Sequence, residues 1–273
     1  MKKVIAVSVT SALIFAVLWI LRLFEVTDNP LILTLIGAVL FLLGSLALKI
    51  LTPRMRTPRF FSLKSMSPLE WKLTVSLCLL LICGSFLINY LTSIFYRLLA
   101  VEVPPAFSGD GYSSVGVAIL CIAVLPALFE ELFFRGAVLT MLRTAKLKNP
   151  VVIGVSALLF MILHGPGWYF LTDFYAGVIL ALIVYFTGSV YASIAAHLIS
   201  NSVSYFLSFF GARLTDAGIG DLTVHVIVVC LIGALCHVLH LLKKLILKNE
   251  KEDRSRVNEN SRRWEEKKTK GEK

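Results

Sequence analysis

Apolar runs long enough to cross a bilayer recur along almost the whole chain, and they restrict its fold more than any other feature. A helix needs about 20 apolar residues to span the hydrocarbon core of a membrane. Eight apolar runs, six of them at least this long, lie at positions 4–24, 31–51, 73–99, 114–142, 151–164, 174–187, 189–210 and 222–242. The fifth and sixth are short, so we expect a broken or tilted helix pair there. The sequence therefore predicts an all-α polytopic membrane protein with about eight transmembrane helices.

The overall composition agrees with a membrane protein. Hydrophobic residues make up 57% of the 273 residues, charged residues make up 16%, and the mean hydropathy is +0.81. These values are too apolar for a soluble domain. The net charge of +10 comes largely from basic residues near the ends of the runs, as membrane orientation requires, so we expect no nucleic-acid partner.

The five cysteines show no pattern of a disulfide or a zinc site. They lie at Cys78, Cys83, Cys121, Cys230 and Cys236, all within apolar runs, and no two form a CxxC pair. Their number is odd, which also argues against a complete disulfide framework. We interpret them as small buried apolar residues.

The charge of the connecting loops alternates along the chain. Basic residues cluster at the start, after the second run, after the fourth run and after the last run, whereas the intervening loops are acidic or mixed. The positive-inside rule then predicts that both termini are cytoplasmic. An even number of spans agrees with this orientation.

Three charged residues, Glu130, Glu131 and Arg135, interrupt the fourth run. A charge at membrane depth costs at least a few kcal/mol, so it persists only where a partner or a polar cavity holds it. Glu131 and Arg135 are four residues apart on one helix face and are predicted to pair. Glu130 is rotated by about 100° and lacks that partner. We therefore assign the chemical role to Glu130 and a supporting role to the Glu131–Arg135 pair, and expect Pro126 to kink the helix beside them.

Two other runs contain histidines that could face Glu130. His164 follows Phe160 by four residues, and His197 precedes Asn201 by four. Counted from the predicted cytoplasmic ends at 1.5 Å per residue, these polar groups lie roughly 12–20 Å deep, so we expect them to meet in one layer. A desolvated carboxylate can take a proton from water, an imidazole can pass it to a leaving amine, and amide or imidazole donors can stabilise an oxyanion. The residues are therefore suited to peptide-bond hydrolysis.

Other interpretations of these polar groups stay open. They would also serve as hydrogen-bonding glue in a non-enzymatic immunity or scaffold protein. A proton-coupled transporter is a third possibility, although no inverted repeat is visible. Glu130, His164 and His197 would form a catalytic zinc set with a fourth position for water, although the chain lacks an HExxH motif.

Two signatures of other intramembrane proteases are present only in part. The string GIGD at 218–221 has the GxGD form of an aspartyl protease, but it lies in a polar loop, and a second membrane-embedded aspartate is missing. Ser193, four residues before His197, is the obvious candidate for a serine nucleophile. We interpret the first as a turn and the second as a small packing residue.

Three motifs in chain order resemble one known family. EELFFRG at 130–136 matches EExxxR, FMILH at 160–164 matches FxxxH, and HLISN at 197–201 matches HxxxN. These are the motifs of the CPBP intramembrane proteases, also called the CAAX protease and bacteriocin-processing, or Abi, family. The resemblance covers about 114–210 and implies an eight-helix membrane endopeptidase whose site opens to the cytoplasm.

The resemblance also implies roles for individual residues. Glu130 and His164 would activate the water, while His197 and Asn201 would form the oxyanion site. Family members are often labelled metalloproteases, but the mechanism of the prenyl-protein endopeptidases needs no metal. We therefore expect no cofactor, with zinc on Glu130, His164 and His197 as the alternative.

The substrate class follows from the same resemblance. The expected partner is a membrane-embedded or lipidated peptide or protein, together with the membrane lipid itself. Bacterial members are associated with peptide-pheromone or bacteriocin processing, self-immunity and regulation of the cell surface, which suggests a bacterial plasma membrane. The natural substrate is not specified by the motifs.

The predicted domain organisation has four parts. Residues 1–112 hold three transmembrane helices, 113–210 form the CAAX protease-like catalytic core, 211–247 hold the final transmembrane helix, and 248–273 form a charged cytoplasmic tail. The tail has too few apolar residues to bury a core.

Overall fold

The structure, a computed structural model, describes residues 2–25, 27–53, 55–101, 112–164, 167–216 and 226–247, and every regular element within them is helical. The helices are α1 (Lys2–Leu23), α2 (Pro30–Ile50), α3 (Thr57–Phe60), α4 (Pro68–Leu98), α5 (Val115–Thr144), α6 (Asn149–His164), α7 (Phe170–Thr187), α8 (Val190–Asp216) and α9 (Val226–Leu247).

The eight long helices correspond to the eight predicted runs, so the all-α membrane fold is confirmed. Six of them are long and apolar enough to cross a membrane, and α6 is a shorter apolar helix. The predicted boundaries differ most at helix α8, which continues to Asp216 rather than ending at 210, at helix α4, which begins at Pro68 rather than at 73, and at helix α9, which continues to Leu247 rather than ending at 242. Residues 222–225 of the eighth predicted run lie outside the described residues.

Helix α4 begins earlier than its apolar run because a polar cap starts it. The Ser67 hydroxyl accepts from the Glu70 amide at 3.4 Å, and the Glu70 carboxylate accepts from the Ser67 amide at 2.7 Å. Lys64 adds an ion pair with Glu70 at 2.8 Å. This capping box satisfies backbone donors that hydropathy alone does not reveal.

Helix α5 is continuous but contains two wider turns. Leu120–Val124 and Leu132–Val138 are π-helical and enclose the seven α-helical residues Leu125–Glu131. Pro126 lies at the start of that α-helical segment, where its missing N–H is tolerated after the first π turn. The two glutamates therefore lie at the junction of the α-helical segment and the second π segment.

Among the described residues, two large apolar cores hold the bundle, and α7 contributes to both, while a smaller third cluster of Ala118, Ile122 and Tyr205 joins α5 to α8. The first joins α1, α2, α5 and α6 around Phe133 and Phe134, which are fully buried. The second joins α4, α7, α8 and α9 and includes Leu77, Ile183 and Ala196. Since the two cores meet at α7, the helices that carry the polar motifs are fixed to one another.

Helices α6 and α7 approach each other almost backbone to backbone. A Cβ added at Gly177 would lie 2.8 Å from the Ala157 Cα, closer than packed atoms allow. Gly136 faces Phe61, where an added Cβ would lie 3.0 Å from the ring. Phe61 belongs to the turn after α3, which the hydropathy pattern does not predict.

The interpretation of all five cysteines as buried residues is wrong for α9. Cys78, Cys83 and Cys121 are buried, but Cys230 is half-buried and Cys236 is exposed. Helix α9 contacts the bundle along one face only, so one side of it faces the surroundings. All five cysteines are free thiols.

Candidate active site

A fully buried ion pair lies at the centre of α5. Arg135 Nη1 donates to Glu131 Oε1 at 2.8 Å, and both side chains are 0% exposed. Arg135 Nη2 donates to the carbonyl of Gly177 at 3.1 Å. The spacing of four residues predicts this pair, while the carbonyl of α7 completes it from another helix.

His197 joins the same pair. Its Nδ1 lies 3.1 Å from Glu131 Oε1, and the side chain is 6% exposed. Because a carboxylate only accepts, Nδ1 carries the proton of this bond. Two positively polarised groups thus converge on one oxygen of Glu131.

Glu130 is directed to a different partner. Its Oε2 lies 3.7 Å from His164 Nε2, and that oxygen is buried without a hydrogen-bond partner in the part of the chain that the structure describes. The separation exceeds a hydrogen bond but lets both atoms contact one water molecule. His164 Nδ1 donates to the carbonyl of Phe160 at 2.8 Å. Neutral His164 therefore presents its Nε2 lone pair towards Glu130.

The aromatic ring of Phe160 separates and supports the two groups. Its centroid lies 4.3 Å from the His164 ring, 5.9 Å from the His197 ring and 4.5 Å from the Arg135 guanidinium. The side chain is 2% exposed. Phe160 therefore fixes both imidazoles and stacks on the buried cation.

Asn201 is held against the first π turn of α5. Its Nδ2 donates to the carbonyl of Ile122 at 2.9 Å. A second N–H and the amide oxygen stay available for other partners. The polar groups expected in one layer thus form two adjacent sets, Glu130 with His164 and Glu131 with His197, while Asn201 binds the α5 backbone.

The residues of the alternative zinc set do not form one cluster in the described part of the chain. Among the described residues, no group of three His, Cys, Asp or Glu side chains is arranged to hold a metal ion. Nδ1 of His197 contacts Glu131, not Glu130. Glu130, His164 and His197 therefore do not fit a three-ligand site as they are placed, and no chemical step is assigned to a metal.

The remaining sequence candidates are placed as follows. Ser193 is 0% exposed and donates to the carbonyl of Val190 at 3.0 Å, as a packing residue would. The GxGD string at 218–221 lies outside the described residues. Away from these candidates, a contact of 2.7 Å between His237 Nδ1 and Ser76 Oγ joins α9 to α4.

A cavity of about 200 Å³ exposes Glu130 and His164. Its other walls come from the last turns of α1, the first half of α2 and the first half of α5. Lys3 donates to the Thr144 carbonyl at 3.3 Å, so the N-terminus and the end of α5 share one end of the bundle, here named the basic end. The cavity lies towards the opposite end, where α1 ends at Leu23.

Sequence reasoning missed two charged groups at this site. Arg22, in the last turn of α1, lines the cavity. Asp173, in the first turn of α7, interacts electrostatically with His164 and Glu130. Both lie just inside helix ends next to loops, where a charged residue is ordinarily explained by membrane orientation.

Residues 113–203 match the family model described as Rce1-like, Type II CAAX prenyl endopeptidase Rce1-like. The matched segment covers about a third of the chain and includes Glu130, His164, His197 and Asn201. This confirms the CPBP resemblance for that segment. No curated protein and no solved structure matches the chain.

Proposed function

We propose that this chain, of which residues 113–203 match the Rce1-like family model, hydrolyses a peptide bond in a membrane-anchored or lipidated substrate with a water activated by Glu130 and His164. The observation that carries the proposal is the buried Glu130 oxygen that faces His164 Nε2 without a hydrogen-bond partner among the described residues. A buried polar atom normally has a partner. A water molecule between the two groups satisfies both.

The proposed reaction begins with proton transfer from that water to Glu130. The water oxygen bonds to the carbonyl carbon of the substrate, and the carbonyl oxygen becomes an oxyanion. His164 relays the proton to the leaving nitrogen as the C–N bond breaks, which yields a carboxylic acid and an amine. The bond from Nδ1 to the Phe160 carbonyl fixes the tautomer that this relay requires.

Asn201 and His197 would stabilise the oxyanion. Asn201 keeps one N–H beyond its bond to Ile122. His197 already donates from Nδ1 to Glu131, so it donates from Nε2 only as an imidazolium. The bond from Nδ1 to Glu131 holds the His197 ring in place beside the site, which gives the supporting ion pair a function beyond helix packing.

A purified preparation tests this function directly. The substrate is an internally quenched peptide library in which a farnesylated cysteine precedes randomised residues. We expect the protein to cleave this library in phosphatidylglycerol vesicles. Activity should survive a strong chelator, since Glu130 and His164 supply the base and the proton relay without a metal. Metal analysis of the same preparation is the control. Loss of activity with chelator and its return with zinc would overturn the metal-free mechanism.

The orientation in the membrane is a separate prediction. The basic loops predict that both termini are cytoplasmic, so Lys146→Cys at the basic end should react with a membrane-impermeant maleimide only after permeabilisation. Glu25→Cys, in the turn after α1, should react in intact cells. Both substitutions are made in a background without the five native cysteines. In this orientation the Glu130 cavity lies towards the outer side of the membrane, whereas the family resemblance implies a site that opens to the cytoplasm. The reverse labelling pattern would contradict the charge-based orientation and agree with the resemblance.

A further inference from the structure

A groove between helices α4 and α9 lies apart from the Glu130 cavity. Its volume is about 400 Å³. The lining residues are Trp71, Lys72, Val75, Ser76 and Leu79 of α4 and Gly233, Ala234 and His237 of α9. All of them lie outside the segment 113–203 that matches the family model. Neither the motifs nor the proposed mechanism uses this groove.

Helices α4 and α9 run in opposite directions along the groove. Ser76 Oγ contacts His237 Nδ1 at 2.7 Å. Seven residues later in α4, Cys83 interacts with Cys230, which lies seven residues before His237. Two contacts that advance in opposite directions along the two helices define an antiparallel pair. The last turns of α9 therefore lie beside the first turns of α4.

These turns lie at the basic end of the bundle. Lys64, just before α4, donates to the carbonyl of Thr187 at 3.2 Å. Helix α6 leads away from the basic end and finishes at His164, and α7 returns from Phe170 to Thr187. The groove thus begins at the basic end, on the opposite side of the membrane from the end where α1 finishes.

Two lysines flank the groove at this end. Lys72 lines it and is exposed, and its ammonium group binds no other group in the part of the chain that the structure describes. Lys244, also exposed, follows His237 by seven residues and continues the same face of α9. The carboxylate of Glu70 is already bound by Lys64 at 2.8 Å. The two lysines are therefore free to bind an anion from outside the chain.

The rest of the groove is mainly apolar and fits within one leaflet. Val75 and Leu79 are exposed, and a Cβ built at Gly233 would meet no atom of the described residues within 4 Å. Trp71 and Leu79 are eight residues apart, about 12 Å along α4. One leaflet provides about 15 Å of hydrocarbon. A partner's transmembrane helix would need a surface across both leaflets, whereas one acyl chain needs only this length.

We propose that this groove binds one anionic phospholipid from the leaflet at the basic end, with its phosphate between Lys72 and Lys244 and one acyl chain along the apolar walls. Lysines beside a membrane surface attract anionic headgroups. Trp71 lies at the level of Lys72, in the interfacial position that tryptophan prefers. Because α9 contacts the bundle along one face only, a lipid bound to both helices stabilises its attachment. The inference is independent of the proposed protease activity.

Lipid binding to the purified protein tests this site. The probes are phosphatidylglycerol and phosphatidylcholine with identical acyl chains, and native mass spectrometry from a neutral detergent counts the bound molecules. One phosphatidylglycerol should bind at least about tenfold more tightly than phosphatidylcholine, because two lysines attract its net charge. The double substitution Lys72→Gln with Lys244→Gln should bring this ratio close to one. A native ratio in the double variant would overturn the proposal.

The matched control is Lys148→Gln. Lys148 is exposed between α5 and α6, also at the basic end, and does not line the groove. This variant should keep the native preference for phosphatidylglycerol. An equal loss from Lys148→Gln and from Lys72→Gln would mean that anionic lipid collects at a basic surface without a specific site, which would contradict the proposal.

Gly233→Leu tests the path of the acyl chain. The leucine side chain would fill the groove, and leucine favours a helix more than glycine does, so the variant should fold. Phosphatidylglycerol should raise the thermal unfolding midpoint of the native protein but not that of this variant. In lipid-free detergent the midpoint of the variant should be at least as high as the native one. If the native protein is instead a dimer that Gly233→Leu separates while lipid binding persists, the groove is an interface between copies of the chain and the proposal is wrong.

Discussion

Glu130→Gln is expected to abolish detectable cleavage while leaving the fold intact. Glutamine keeps the size and most of the hydrogen-bonding capacity of the side chain but cannot accept the proton of water. Loss of a general base typically costs about 10²–10⁴-fold in rate. Because Glu130 Oε2 has no hydrogen-bond partner among the described residues, the substitution breaks no bond of that oxygen. The measurement is turnover of the quenched peptide library together with the thermal unfolding midpoint.

The same variant discriminates between a protease and a scaffold. If polar side chains only hold helices together, glutamine replaces glutamate well, and processing or immunity should persist in cells. Membrane peptides from cells with the native protein should include the cleavage products. Cells with Glu130→Gln should contain the uncleaved substrate instead. Identical peptide profiles and native turnover would remove the main support for the proposed mechanism.

Arg135→Met is expected to give the largest loss of stability of any single substitution at the site. It would leave Glu131, which is 0% exposed, with only His197 to balance its charge. Removal of one partner of a buried ion pair costs about 3–5 kcal/mol. The carbonyl of Gly177 would lose its donor at the same time. Thermal unfolding in detergent should therefore show a clearly lower midpoint, with activity lost in parallel.

A double substitution shows whether the stranded charge is the cause. Glu131→Gln with Arg135→Met removes both charges, so most of the lost stability should return. Arg143→Met, two turns further along α5, is the matched control, because Arg143 packs over Tyr185 and has no carboxylate partner among the described residues. A native midpoint for Arg135→Met, or a double variant as unstable as the single one, would contradict this account of the ion pair.

Local sequence spacing determined those features of the site that depend on one helix. The interval between Glu131 and Arg135 placed them on one face, and their ion pair is present at 2.8 Å. The interval from Phe160 to His164 likewise gave a backbone bond and a ring contact within α6. Long apolar runs predicted the helices themselves, since a bilayer admits few other backbone conformations.

Contacts between helices were decided only by the tertiary structure. Nothing in the spacing indicates that His197 reaches Glu131 rather than Glu130, or that the Gly177 carbonyl accepts from Arg135. Such contacts depend on the rotation and offset of whole helices. The two π segments of α5 and the close approach of Gly177 to Ala157 contribute to this rotation and offset. The pattern of apolar residues along one helix does not predict how far that helix is rotated or shifted against its neighbours.

The sequence alone thus determined that this chain is a bundle of membrane helices with paired and unpaired charges on α5, because hydropathy and i,i+4 geometry are properties of single segments. Only the folded bundle decided which imidazole meets which carboxylate, and that Arg22 of α1 shares the Glu130 cavity. The physical reason is that side chains far apart in sequence meet through packing, which no single segment encodes.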